Sequence, residues 1–263
     1  EATADVTVNP ATGGYNVRFG IPRGKDGIGG MDAKVYDPTG KKTDIFKYVD
    51  NRTFCVTPQM FGAVGDNVTD DTEAFKQCFE HTNIFIPAGK YIVSETIDVL
   101  PRTQVMGEGQ YKSFITFTSN VGFNVQEYAS FSDMNIAGNN TNTAIVFPSQ
   151  NLRLNNVRFR YLNVGVTSNE TAVHFNTFVD CAFMNVNYPL YFPNAGVLNT
   201  MVVSNCQFNT YNIAVSALGT IYAIDFDRCT FEGNKVETVE LVGNCALDAG
   251  ECASVLLSTC YYE

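Results

Sequence analysis

At 263 residues, 45% of them apolar, the chain has the material for one large core or two small ones. Its formal net charge of −10, from 27 acidic and 17 basic side chains, has the wrong sign for nucleic acid or an anionic membrane surface. No apolar run approaches the ~20 residues that span a bilayer, no secretory signal starts at Glu1, and an opening residue other than Met reads as a trimmed or processed start.

The first 30 residues hold two short alternating runs, Val6-Thr7-Val8 and Tyr15-Asn16-Val17-Arg18-Phe19, joined by Asn9-Pro10-Ala11-Thr12-Gly13-Gly14. That is a hairpin signal, and a lone hairpin is marginal in water. Gly24, Gly27 and Gly30 then recur every third residue; three triplets are too few for a collagen helix and read as a linker. Residues 31–55 mix Lys34, Lys41, Lys42 and Lys47 with Asp32, Asp37, Asp44 and Asp50, a solvated connector with one short helix near residues 44–49.

From residue 56 the pattern changes. Asp70 reads as an N-cap with Glu73 as the acidic partner of a capping box. Ala74, Phe75, Cys78 and Phe79 then give one apolar stripe to a helix over residues 71–81. Ile84-Phe85-Ile86 and Lys90-Tyr91 follow as strand, bend and strand with the offsets of the later units, and Val105-Met106-Gly107-Glu108-Gly109 is a further rung with glycines at its turn. A stack of rungs leaves its first member uncovered, and the helix is placed to cap it.

The remaining chain repeats. Phe131, Leu154, Phe178, Val203, Phe226 and Leu257 mark one position in six units, spaced by 23, 24, 25, 23 and 31 residues. Two before stand Ala129, Leu152, Asn176, Met201, Ile224 and Val255; three after, Met134, Val157, Cys181, Cys206, Cys229 and Cys260; five after, Ile136, Phe159, Phe183, Phe208, Phe231 and Tyr262. Four columns in six units make 24 places, and Asn176 is the one that is not apolar. Two residues after the marker comes a mostly polar column: Asp133, Asn156, Asp180, Asn205, Arg228, Thr259.

Apolar residues two apart have the period of a strand. The parity slips at the polar column, so the chain bends there and begins a second strand facing the same interior. Strand, polar bend, strand and a Gly/Asn-rich loop, repeated, read as a mostly β fold: a right-handed, single-stranded parallel β-helix, or solenoid, with an N-terminal capping helix. Rungs about 4.8 Å apart make six units a rod of roughly 29 Å. A leucine-rich repeat lacks its Leu-x-x-Leu-x-Leu frame here. Equal offsets stack, which turns the cysteines into a buried column of reduced thiols behaving as small hydrophobes. Cys245 and Cys252 fall in the long loop of the 31-residue unit, where a disulfide stays open, and their spacing suits no zinc knuckle. The two histidines, His81 and His174, stand in unrelated contexts, so neither a metal nor a cofactor is expected.

Residues 57–118 resemble the entry segment of pectate-lyase-like β-helix proteins. The resemblance rests on Phe61-Gly62-Ala63-Val64-Gly65-Asp66, Thr69-Asp70-Asp71-Thr72, Ile86-Pro87-Ala88-Gly89-Lys90-Tyr91 and Gly107-Glu108-Gly109. Asn16-Val17-Arg18-Phe19-Gly20-Ile21-Pro22-Arg23-Gly24-Lys25-Asp26-Gly27 is similar to the particle-proximal segment of bacteriophage tail fibres and tailspikes. The two resemblances imply a virion-attachment hairpin and linker over residues 1–30, a connector over 31–55 and a β-helix over 56–263. They also imply a parallel homotrimer that docks through its N-terminus on a phage tail, baseplate or adaptor protein and meets host-surface glycan. Such a protein is assembled in the bacterial cytoplasm and resides in the virion. Val202 and Leu256 (one before the marker), Val179 (one after) and Met184 (six after) lie on outward faces, as a face between copies requires.

Glycan-cleaving enzymes set two carboxylates about 5–10 Å apart. Asp225 and Asp227, two apart on one outward strand face, lie roughly 7 Å apart. Glu232 and Glu263 share the outward offset of six on consecutive units. In a chain with 27 acidic residues these are also ordinary solvated side chains. A lyase wants a cation beside an acidic sugar, and Arg153, Arg158 and Arg160 stand one to three rungs from either pair. The sequence stops in the middle of the sixth unit, so more chain or another polypeptide is expected to cover that end. The expected role is a structural virion protein serving attachment to host polysaccharide; the alternatives are a depolymerase of capsule or lipopolysaccharide on the same scaffold, and a secreted pectinase-like enzyme, which leaves residues 1–55 without a purpose.

Overall fold

The structure, a computed structural model, describes residues 3–8, 15–20, 55–233, 245–252 and 254–262. The chain divides into two compact units, Glu1–Thr53 and Phe54–Glu263. In the first, the two alternating runs form an antiparallel hairpin, Thr3–Val8 with Tyr15–Gly20. The Gly-triplet linker and the connector through residue 54 lie outside the described residues.

The second unit is a parallel β-helix. Its marker column runs in register from Ile84 through Val105, Phe131, Leu154, Phe178, Val203 and Phe226 to Leu257. All six markers of the sequence repeat are therefore stacked neighbours, one turn apart. A second face stacks Tyr91, Ile115, Ile136, Phe159, Phe183, Phe208, Phe231 and Tyr262.

A third face was not part of the strand, bend, strand reading. It stacks Ile97, Phe123, Ile145, Val166, Leu190 and Val215, with Leu247 next in backbone register, out of segments expected to be loop. Three faces close a prism in which every turn buries side chains on all sides. The segment of the 31-residue unit expected to be a long loop likewise contains a strand, Cys245–Cys252, paired to Ile213–Ile221. Its two cysteines stand at opposite ends of that strand, too far apart for the Cα span of about 7 Å that limits a disulfide.

The bends have one backbone solution. Asp133, Asn156, Asp180, Asn205, Arg228 and Thr259 all adopt a left-handed conformation, with φ between 52° and 58°. Asp and Asn visit that region at low cost because their short polar side chains bond locally. They also bond along the stack: Asn156 Nδ2 donates to Asp133 Oδ1 at 2.7 Å, and Asn205 Nδ2 to Asp180 Oδ1 at 2.5 Å. Two more left-handed corners recur, at Arg102, Tyr128, Asn151, Phe175 and Thr200, and at Tyr161, Asn185 and Thr210.

The helix is shorter than its apolar stripe, Thr72–Cys78, and starts one residue later than expected, with Asp71 as N-cap. The reason is a division of labour between adjacent carboxylates. Asp70 accepts the Thr72 N–H at 3.0 Å and the Ser94 hydroxyl at 2.6 Å, while Asp71 turns back to the N–H groups of Val64 and Gly65 at 2.6 and 3.1 Å. No capping box forms there. Phe75 and Phe79 still close the prism: Phe75 packs on Tyr91 at 5.4 Å and Phe79 on Phe123 at 5.4 Å. The first units also differ from the later ones. Tyr91 follows Ile84 by seven residues and Ile115 follows Val105 by ten, where later units use five, so these two corners carry extra chain.

Inside, Phe159, Phe183, Phe208, Phe231 and Tyr262 stack at 4.8, 5.2, 4.8 and 5.1 Å between centroids with planes within 6°. Asn176, the exception among the apolar columns, is buried and accepts the Leu152 N–H through Oδ1 at 2.9 Å. Cys206, Cys229 and Cys260 place their sulfurs 3.3–3.5 Å from the carbonyls of Phe178, Val203 and Phe226 on the preceding turn. The thiols beside Cys206, together with burial, push its pKa up, and burial pushes Cys78 to about 12. Thiolate is the reactive form, so Cys78, Cys181, Cys206 and Cys229 are expected to react with a disulfide reagent no faster than the protein unfolds. Rapid labelling of Cys206 at pH 8, mapped by peptide mass, would contradict the buried column.

Candidate functional site

The extra chain at the second corner builds a site. Between Gly107 and Ser113 the loop is pinned from below: the Ala88 N–H donates to Glu108 Oε2 at 2.9 Å, and the Ser113 hydroxyl donates to the Ile86 carbonyl at 2.7 Å. Lys112 Nζ pairs with Glu108 Oε1 at 2.9 Å, and this ammonium, with the Ala88 N–H, holds the Glu108 carboxyl below its usual range. The loop is thereby held over the outward side of the second face. Gln110 Nε2 donates to Asn156 Oδ1 at 2.7 Å, and the Tyr111 ring lies 5.1 Å from the Arg158 guanidinium carbon.

Under this loop opens a cleft of about 260 Å³, lined by Gln110, Tyr111, Asn156, Arg158, Asp180 and Met184 among others. Arg158 stands on the strand Arg153–Ser168, directly below Ala182 in register. A small side chain at that neighbouring place leaves room above the guanidinium. Arg158 Nη2 reaches Met184 Sδ at 2.6 Å, and its Nε is buried without a hydrogen-bond partner. A thioether is a weak acceptor, so this is a cation held by contacts that do not neutralise it. Asp180, with Asn205 bound to its Oδ1, supplies a carboxylate to the same cleft.

The four acidic residues singled out in the sequence lie elsewhere. Asp225 and Asp227 stand on the strand Ile224–Asp227, in the first face. In register, Asp225 lies between Val202 and Leu256, and its Oδ1 is buried without a partner. Asp227 lies between Ser204 and Ser258, pairs with Arg228 Nε at 2.9 Å and accepts the Thr259 hydroxyl at 3.3 Å. Glu232, across the corner on the second face, accepts from Asn209 Nδ2. Glu263 lies outside the described residues. Asp225 and Asp227 thus share one strand with different surroundings, one oxygen orphaned and one carboxylate paired.

The three arginines also separate. Arg153 is exposed in the register column of Val202 and Asp225. Arg160 donates to the Tyr161 hydroxyl at 2.9 Å, and Arg158 alone of the three lines the cleft. The outward apolar residues do not make one column either. Val202 and Leu256, 36% and 56% exposed, flank Asp225, Val179 stands in the Asp227 column, and Met184 faces Arg158. Among the described residues no cluster of three or more His, Cys, Asp or Glu could hold a metal ion, and no helix is long and apolar enough to cross a membrane. What the cleft offers is recognition: amides, one carboxylate and one cation around a tyrosine ring.

A sequence profile described as rhamnogalacturonase A/epimerase, pectate lyase-like, matches residues 56–238. The pre-neck appendage protein of Bacillus phage B103 is 35% identical over 85 residues, 31% of this chain and 10% of that protein. The pre-neck appendage protein of Bacillus phage phi29 is 34% identical over 86 residues, 32% of this chain and 10% of its own. This chain therefore spans about a tenth of the length of the curated relatives it matches. Among solved structures, the phiAB6 tailspike, in complex with three-repeated oligosaccharides of Acinetobacter baumannii surface polysaccharide, covers 82% of this chain and 49% of its own. Its TM-score is 0.50 at 17% identity, a likeness of fold.

Proposed function

The chain belongs to the rhamnogalacturonase A/epimerase, pectate lyase-like family and is a phage-appendage-like and tailspike-like protein; from that premise we propose that it is a virion appendage subunit that attaches the particle to host-surface polysaccharide. The likeness to two phage pre-neck appendage proteins is the observation that carries this reading. In it, residues 1–30 dock on a tail, baseplate or adaptor protein, residues 31–55 connect, and residues 56–263 form the glycan-facing β-helix. Three copies stand side by side, with Val202 and Leu256 exposed on the outward side of the first face as material for the contact.

The test uses the labelled chain and cells of the phage's host. Attachment is expected to be saturable and to disappear after periodate oxidation of the surface glycan. Attachment that survives complete oxidation would place the receptor among proteins or lipids instead. Mass in solution is expected to be that of a trimer, and a clean monomer at micromolar concentration would count against the appendage reading.

The orphaned oxygen of Asp225 beside the paired Asp227 favours one second reading, a depolymerase cutting the same polysaccharide. Two carboxylates roughly 7 Å apart on one strand lie within the separations that glycoside hydrolysis uses. Host glycan incubated with the chain would then release reducing ends or unsaturated sugars, and Asp225→Asn with Asp227→Asn would abolish the release. Undiminished turnover in the double variant removes that pair, leaving Glu232 and Glu263 as the acidic residues to test next.

A further inference from the structure

We infer that the Arg158 cleft is a binding site for an acidic sugar, a uronate unit whose carboxylate meets the guanidinium, and this deepens the attachment reading. The described residues hold ion pairs at Lys76, Lys112 and Arg228, and Arg158 belongs to none of them. Of its five N–H donors, one on Nη2 has a protein acceptor, the Met184 sulfur, and the buried Nε has none. A guanidinium brought this far out of water keeps a large unmet demand for an anion. The Tyr111 ring on one side and the Met184 sulfur on the other fix its orientation, so the fork is set before any ligand arrives.

The rest of the lining selects a sugar. Gln110, Asn156 and Gln207 bring amides, which both donate to and accept from hydroxyls, and Asp180 accepts. Tyr111 is 68% exposed, so ring surface is left for an apolar sugar face. At about 260 Å³ the cleft falls below the roughly 300–1,000 Å³ of drug-sized sites and suits one or two sugar rings. A phosphate polymer fits less well: one arginine is the only cation in the lining, and Asp180 opposes a second negative charge.

The experiment is calorimetric titration of the full chain with oligomers of galacturonate, glucuronate and mannuronate, each beside the same oligomer with its carboxyls reduced to alcohols. At least one uronate oligomer is expected to bind about tenfold or more tighter than its reduced form, a margin that shrinks with added salt. Arg158→Gln is expected to erase the margin with an unchanged melting curve. Arg158→Lys, which keeps the charge and loses the fork, should retain part of it. Tyr111→Ala, in an exposed loop and safe for folding, should weaken both the acidic and the reduced oligomer. No preference for acid in any pair, or a preference that survives Arg158→Gln, overturns the site. Loss of the preference in Arg158→Gln, in a wild-type chain that does not hold to host cells, keeps the site and removes the attachment reading. Attachment to cells without any acid preference does the reverse.

Discussion

Phe183→Ala is expected to lower the free energy of unfolding by about 3–5 kcal/mol, the upper range for losing a buried aromatic ring. Phe183 is fully buried between Phe159 at 4.8 Å and Phe208 at 5.2 Å, each ring tilted by 5°. Truncation removes both ring contacts at once. The gap cannot close, because Phe159↔Phe183 and Phe183↔Phe208 are backbone register pairs and the ladder holds the turns at a fixed distance. Urea unfolding followed by far-ultraviolet dichroism measures the loss. Arg160→Ala, outward and one place along the ladder, is the comparison and should stay within about 0.5 kcal/mol. A deficit below about 1 kcal/mol for Phe183→Ala would mean that the ring column is decoration on a stack held by its backbone alone. A Phe183→Ala, Phe208→Ala cycle should show coupling, since the two side chains share one contact.

Gly107→Ala is expected to do comparable harm by the opposite route. A Cβ built at Gly107 would stand 2.2 Å from the Asp133 carbonyl oxygen and 3.0 Å from Met134 Cβ. Neither obstacle can swing aside, since one is backbone at a left-handed corner and the other is the root of a buried side chain. The two turns must part, and overpacking of this kind costs about 1–3 kcal/mol. The same movement displaces the loop that carries Gln110 and Tyr111, so the uronate preference should fall together with the melting temperature. Gly196→Ala, whose nearest neighbour would be the Thr171 carbonyl at 3.4 Å, provides the mild counterpart. An unchanged Gly107→Ala protein would require the first corners to be looser than the register implies.

The stacking was legible because period-two alternation survives being read one turn at a time. Phe131, Leu154, Phe178, Val203, Phe226 and Leu257 are neighbours in space for the same reason that they line up on paper: each unit pays out nearly the same length of chain. The polar column marked the corner because Asp, Asn, Thr and Arg there share one backbone conformation. The third face escaped because its strands follow loops of unequal length, which scrambles their offset from the marker. Cys245–Cys252 is the extreme case, reached after the longest interval. At the helix start, two adjacent aspartates were equally good caps on paper, and only the demand of the Val64 and Gly65 N–H groups separates them.

The cleft was harder still. Arg158 had drawn attention as a cation to serve distant carboxylates, whereas its surroundings come from Tyr111 in an earlier turn and Met184 in the next. No local pattern announces a contact between residues 47 positions apart. The signal that was available is the ten-residue step from Val105 to Ile115, a surplus of chain at a corner. Asp225 and Asp227, by contrast, were found where alternation put them, and their unlike partners are a matter of neighbours on adjacent turns.

The unequal corners carry a lesson for how such a molecule changes over generations. Five, seven or ten residues can separate the same two stacked positions without shifting a single pair in the ladder. An insertion at a vertex therefore lengthens a protrusion and leaves the prism alone. Specificity becomes a modular property, rewritten by grafting a few residues at one edge while the scaffold is inherited intact. Transplanting the segment from Glu108 to Lys112 onto a later vertex would be the laboratory version of that history.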